Sequence, residues 1–252
     1  MQHAYMDKYT QLDSPIHRLD ARAKILAVLI YIATVISIPR TEILSLVPFA
    51  IYPVILVTIA GIPLRALLKH AVIVSPFILS LAIFAPVFDQ TPVGEIGGWT
   101  VTAGWLACGN LIIKFFLTVL ATLSLAATTR FDRLLLGLER LGMPRAMVMQ
   151  LSFLYRYLFL LVEEAFQMKQ ARDARNFHRA PFKRRWMAVR GIIAVLFIKT
   201  LARAERVYAA MVARGFTGSI RSFYKPKLRI IDWAFTACSL IFAGLARWAP
   251  WA

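Results

Sequence analysis

Gly104 to Thr128 is a run of 25 residues in which Lys114 is the only charged side chain. A helix rises about 1.5 Å per residue, and about 20 apolar residues cross the ~30 Å of bilayer hydrocarbon, so this run reads as a membrane span. One such segment constrains the rest of the chain, because backbone N–H and C=O groups in lipid must be paired within helices or closed barrels. Four further runs have the same character: Ala23 to Ile38, Ile43 to Ala60, Ala71 to Phe88 and Ile230 to Ala246. Arg22 and Lys24, at the start of the first, can snorkel to the headgroups. Pro48, Pro53 and Pro76 are tolerated where neighbouring helices pair the backbone groups they free. A sixth run, Gly191 to Ile198, stops at Lys199, Arg203 and Arg206 and reads as a buried or surface helix. The fold class is all-α, a polytopic membrane bundle of five spans, the alternative being six. The first apolar run shows no small-residue cleavage site and reads as an uncleaved first span.

Charge divides the chain further. A net charge of +17 on 252 residues would suggest nucleic acid, but a nucleic-acid-binding domain has no use for a chain that is 59% hydrophobic in long blocks. The positive-inside rule explains the excess instead. Lys8, Arg18, Arg22 and Lys24 precede or open the first span, and Arg65 and Lys69 follow the second. Asp89 to Ala103 has Asp89 and Glu95 but no Lys or Arg, which predicts an outward loop. Thr129 to Arg229 holds 21 of the 30 Lys and Arg against 6 of the 13 Asp and Glu, a net of +15, which predicts a cytoplasmic segment. The expected organisation is an N-terminal bundle of four spans over 1–128, a cytoplasmic region over 129–229 and a C-terminal span over 230–252.

The basic segment has helical periodicity. Asp132 to Leu141 reads as a helix closed by Gly142, with Pro144 opening the next. Tyr155, Leu158, Phe159, Val162 and Phe166 share one side of a long amphipathic helix, which is read as lying outside the membrane. After Ala180-Pro181 another helix runs from about Met187 to Arg214. On it Lys199, Arg203, Arg206 and Arg214 fall within a sector of about 80°.

Catalytic and metal-binding patterns are missing from the sequence. It has no phosphate-binding glycine loop, no H-E-x-x-H and no C-x-x-C. Cys108 and Cys238 lie in apolar runs as small hydrophobes. His3, His17, His70 and His178 lie at polar edges without ligand spacing and read as surface or interfacial residues. The spans read as free of acidic residues. Lys114 is a membrane-buried charge, costing on the order of 2.5–3.5 kcal/mol on insertion scales. It reads as pairing within the bundle or, alternatively, as touching a partner subunit or polar cavity.

The two ends of the long helices are more informative. One finishes in Ala174-Arg175-Asn176, the other in Ala213-Arg214-Gly215-Phe216. Arginine suits a helix C-terminus, and Gly215 or Asn176 suits the left-handed residue beyond it, so good capping alone accounts for both. A guanidinium held at a rigid helix end also suits carboxylates and carbonyls on a partner, and two such ends suggest a two-pronged docking device.

Leu12-Asp13-Ser14-Pro15-Ile16-His17-Arg18-Leu19-Asp20-Ala21-Arg22-Ala23-Lys24 resembles the lead-in to the first span of the transmembrane coupling (T) components of energy-coupling-factor transporters. Leu141-Gly142-Met143-Pro144, Phe153-Leu154-Tyr155-Arg156-Tyr157 and the two arginine motifs are similar as well. Tyr155-Arg156-Tyr157-Leu158-Phe159 with Glu163-Glu164 looks most like the cobalt or nickel branch, the CbiQ type. The resemblance implies a non-catalytic importer subunit of the bacterial plasma membrane with no cofactor of its own, ATP and Mg2+ being held by its partners. Those partners would be two ABC-type ATPases and a small membrane substrate-binding component. Coupling helices ending in Ala174-Arg175-Asn176 and Ala213-Arg214-Gly215 would sit in grooves of the ATPases. Asn176 departs from the usual glycine, and Ala171-Arg172-Asp173 is an alternative register. Other readings are a nickel or vitamin importer, a lipid enzyme lacking its acidic motifs, or a scaffold binding anionic lipid.

Overall fold

The computed structural model describes residues 14–39, 42–88, 91–96, 99–175, 182–218 and 229–248. They form α1 (Ala21–Ile36), α2 (Ile51–Ala60), α3 (Leu64–Phe88), α4 (Ala103–Thr128), α5 (Phe131–Arg140), α6 (Arg145–Arg175), α7 (Phe182–Ala213) and α8 (Ile230–Trp248). Strands β1 (Pro92–Ile96) and β2 (Trp99–Thr102) pair antiparallel between α3 and α4, with Ile96 opposite Trp99 and a register shift between Pro92 and Gly94. This hairpin adds a small element to the expected all-α bundle. The chain divides into two compact units, residues 1–141 with 226–252, and residues 142–225.

In the first unit α1 packs against α8, α4 and α5. Asp20 caps it by accepting from the Arg22 backbone N–H at 3.0 Å. Ala27, Val28, Tyr31 and Val35 of α1 are buried at helical spacing, while Phe77 of α3 and Ile241 of α8 point outward, an apolar exterior suited to lipid. Tyr31 stacks on Tyr52 with ring centroids 4.6 Å apart, and Phe242 of α8 stands against both Tyr52 and Phe49.

The second expected span is only partly α-helical. Two 3-10 turns, Leu44–Leu46 and Pro48–Ala50, lead into α2. Pro53, the third residue of α2, has no N–H for the carbonyl of Phe49 four residues back. The Tyr31 hydroxyl donates to that carbonyl at 2.9 Å. The third helix starts at Leu64, seven residues before the apolar run, so Arg65 and Lys69 are helical rather than in a loop.

Among the described residues four helices are long and apolar enough to cross a membrane: 64–87, 103–128, 145–175 and 230–248. The 16 residues of α1 give about 24 Å of helix, short of a full crossing on its own. The third of the four, α6, was expected to lie outside the membrane, yet its length and composition also satisfy a span.

α5 belongs to the first unit because Gly137 lets it touch α1. A Cβ at this position would stand 3.1 Å from both Ala21 Cβ and Ile25 Cδ1. The helix ends as the sequence predicts, Leu141 N–H reaching Gly137 O at 3.1 Å and Gly142 following at φ +111°.

Candidate coupling site

The second unit consists of α6 and α7. Glu164 of α6 receives Lys199 at 3.2 Å and Arg203 at 3.3 Å, both from α7. From this ion pair a groove of about 310 Å³ runs past Leu161, Tyr157 and Phe153 on one helix and Ala204, Val207 and Met211 on the other. Falling numbers on α6 accompany rising numbers on α7, so the helices run antiparallel. Half of the predicted basic stripe is therefore engaged by an acid: Lys199 and Arg203 share the single carboxylate of Glu164, while Arg206 and Arg214 are exposed.

Antiparallel packing fixes where the two arginine motifs lie. Arg175 follows Glu164 by 11 residues and Arg214 follows Arg203 by 11, each about 16 Å of helix. The two guanidinium groups therefore sit at opposite ends of the pair, on the order of 30 Å apart. Ala174 and Arg175 are exposed at the end of α6, and Asn176 lies outside the described residues. Arg172, in the alternative register, is engaged by its neighbour Asp173, Nη2 to Oδ1 at 2.6 Å. Ala213 closes α7 and is exposed, as is Arg214. Gly215 N–H bonds Val212 O at 2.9 Å and Phe216 N–H bonds Met211 O at 3.1 Å, with Gly215 at φ +79°. This bond pair is the Schellman cap, which requires a left-handed residue where Gly215 stands. Among the described residues the side chains of Arg175 and Arg214 have neither hydrogen-bond nor ion-pair partners.

Lys114 has an internal role. Its Nζ donates to Ile38 O at 2.5 Å and Ile36 O at 3.3 Å, the carbonyls at the C-terminus of α1. Asn110, one turn earlier and buried, donates to Pro39 O and Glu42 O at 3.2 and 3.3 Å. The lysine is midway along its own helix but level with the end of a shorter neighbour, where irregular backbone needs donors. Asn110 escaped sequence reasoning, although an amide in an apolar run is a signal for such a partner.

Lys24 does not snorkel. It is buried, and its Nζ donates to Thr128 O at 3.0 Å and Thr129 Oγ1 at 3.1 Å, at the end of α4. Nor are the spans free of acid, since Asp232 is the third residue of α8 and buried. Its Oδ1 accepts the Asp20 N–H and its Oδ2 the Arg229 N–H, both at 2.8 Å. An acidic residue in the first turn of a helix was the available signal. His17 is buried, 2.7 Å through Nδ1 from Ser14 Oγ, and not interfacial as expected. His70 donates through Nδ1 to Ala66 O, while His3 and His178 lie outside the described residues. Cys108 and Cys238 are free thiols, and no cluster of three or more His, Cys, Asp or Glu able to hold a metal is found among the described residues.

Four helices long and apolar enough to cross a bilayer, with an apolar exterior around them, define the build of a multi-pass membrane protein. The sequence matches the family described as CbiQ, cobalt transport protein, over residues 13–224. The chain belongs to this family, the transmembrane components of energy-coupling-factor transporters of the CbiQ type. It is 30% identical over 238 residues to the energy-coupling factor transporter transmembrane protein EcfT of Thermotoga maritima, covering 89% of this chain and 83% of the relative. The protein of the same name from Listeria innocua is 28% identical over 266 residues, 98% of each. Cobalt transport protein CbiQ of Rhodobacter capsulatus is 37% identical over 98 residues, 38% of this chain and 39% of the relative. The matched region ends before α8, so Asp232 lies beyond it.

Proposed function

We propose that this chain couples two cytoplasmic ABC-type ATPases to a small substrate-binding membrane component in an importer for cobalt. The observation that carries the reading is the placement of Arg175 and Arg214, exposed at opposite ends of an antiparallel helix pair. A helix pair with two separated guanidinium groups suits two copies of one partner, each offering carboxylates or carbonyls to a planar fork. ATP and Mg2+ belong to the ATPases in this scheme, and this subunit contributes no catalytic group. Their closing motion would move the ends of α6 and α7 relative to each other. The net +15 of Thr129 to Arg229 supports a cytoplasmic face for this region and for the N-terminus, in a bacterial plasma membrane.

Cobalt, rather than nickel or a vitamin, rests on the family description and on the partial relative whose name carries the metal. The test is Arg175→Ala, Arg214→Ala and the pair in the full complex, followed by ATPase co-purification and cobalt uptake. Each single variant is expected to lower both, and the double variant to abolish uptake. A double variant that assembles and transports as well as the parent excludes the arginine docking. If Arg206→Ala, exposed on the same helix, were equally harmful, diffuse lipid attraction would replace it.

A further inference from the structure

The groove between α6 and α7 is apolar along its walls, with Phe153, Tyr157, Leu161, Val207 and Met211 lining it, and polar at one end, where Arg203 enters. Its volume of about 310 Å³ reaches the range of sites that take small ligands, about 300–1,000 Å³. At the polar end Glu164 faces both Lys199 and Arg203, two cations against one carboxylate, which leaves one positive charge unmatched. Arg203 Nη1 is buried there without an acceptor among the described residues. A buried donor left unpaired is costly, and a ligand oxygen would remove that cost.

We infer that the groove binds one anionic phospholipid of the surrounding bilayer, an acyl chain lying against Phe153, Leu161 and Met211 and a phosphate oxygen accepting from Arg203. The complementarity is twofold: an apolar trough for a chain and a single uncompensated charge for a singly charged headgroup. Exposed apolar side chains on the same two helices, among them Leu154, Leu158, Phe197 and Leu201, suit an element in contact with lipid. The charged end of this site, at Arg203, lies 11 residues before Arg214, although the apolar end at Met211 comes within one turn of it.

The test uses the full-length chain in nanodiscs of phosphatidylcholine with phosphatidylglycerol, and native mass spectrometry of the lipid that stays bound. One phosphatidylglycerol per chain is expected. Arg203→Gln and Ala204→Trp, the latter filling the groove, should each reduce retention at least tenfold, while Arg206→Gln should leave it unchanged. A phosphatidylglycerol with a photoactivatable acyl chain tests the parent protein directly, with labelling expected on Phe153, Tyr157 or Met211. Equal retention of phosphatidylcholine, undiminished binding to Ala204→Trp, an Arg206→Gln loss as large as that of Arg203→Gln, or labelling elsewhere would each overturn the proposal. Oleate held in preference to phosphatidylglycerol would assign the groove to free fatty acid. Loss of the lipid on assembly with the substrate-binding component would assign it to a protein helix.

Discussion

Lys24 and Lys114 cap each other's helices. Lys24 of α1 donates to Thr128 O at the end of α4, and Lys114 of α4 donates to the Ile36 and Ile38 carbonyls at the end of α1. Each ammonium therefore meets the negative end of the antiparallel neighbour's dipole and the carbonyls that have no partner within their own helix. Replacing Lys114 by Met removes two of these bonds, and because the site is only partly buried a loss of about 1–2 kcal/mol is expected. Thermal unfolding in detergent measures it, and Lys114→Arg, which keeps the charge, should recover most of the loss.

Tyr31→Phe removes one oxygen and leaves the stacked rings in place. The Phe49 carbonyl freed by Pro53 would then have no donor, at a cost of about 1–2 kcal/mol. Adding Pro53→Ala, which restores the N–H, should return part of that stability. If the two substitutions are merely additive in a double-mutant cycle, the hydroxyl and the proline are independent.

Asp232→Ala strands two backbone donors, the N–H groups of Asp20 and Arg229. Hydrogen bonds to a charged acceptor in a buried site make this a large change, on the order of 3 kcal/mol. Asp232→Asn retains one acceptor and should lose about half as much. Hydrogen exchange at the starts of α1 and α8 should rise in both variants, whereas exchange in α6 and α7 should stay as in the parent.

Gly215→Val tests the rigidity of the second arginine end. A Cβ there meets nothing within 4 Å, so the effect comes from φ +79° alone, about 1–2 kcal/mol for a branched residue. ATPase co-purification should fall while the unfolding temperature of the membrane part hardly changes, and Gly215→Asn should be milder.

Much of the fold is legible in hydropathy. The run from Gly104 to Thr128 becomes α4 within one residue, because a long apolar block admits only a helix in lipid. α3 begins earlier than its apolar block, since Arg65 and Lys69 are good helix formers and their charge says only how deep they sit. The β1–β2 hairpin does not stand out in the sequence because its strands are only five and four residues long.

At the candidate site the caps were readable and the partners were not. Gly215 announces its own conformation, whereas the pairing of Arg203 with Glu164 joins residues 39 positions apart on two helices. A stripe of like charge along one helix looks solvated until the neighbouring helix presents its acid. Lys114 was visible as an anomaly, but its meaning depends on where α1 stops, which its own segment does not encode.

The hydrogen bond from Asp20 to Asp232 joins residues 212 positions apart, at the starts of the first and eighth helices. During synthesis α1 enters the membrane long before Asp232 exists, and the segment that forms α6 and α7 is made in the interval. The bundle consequently has an order of completion, with α8 arriving after α1 to α7 and the start of α1 waiting for its acceptor. A chain stopped before residue 230 carries both arginine ends but lacks the acceptor for the Asp20 N–H.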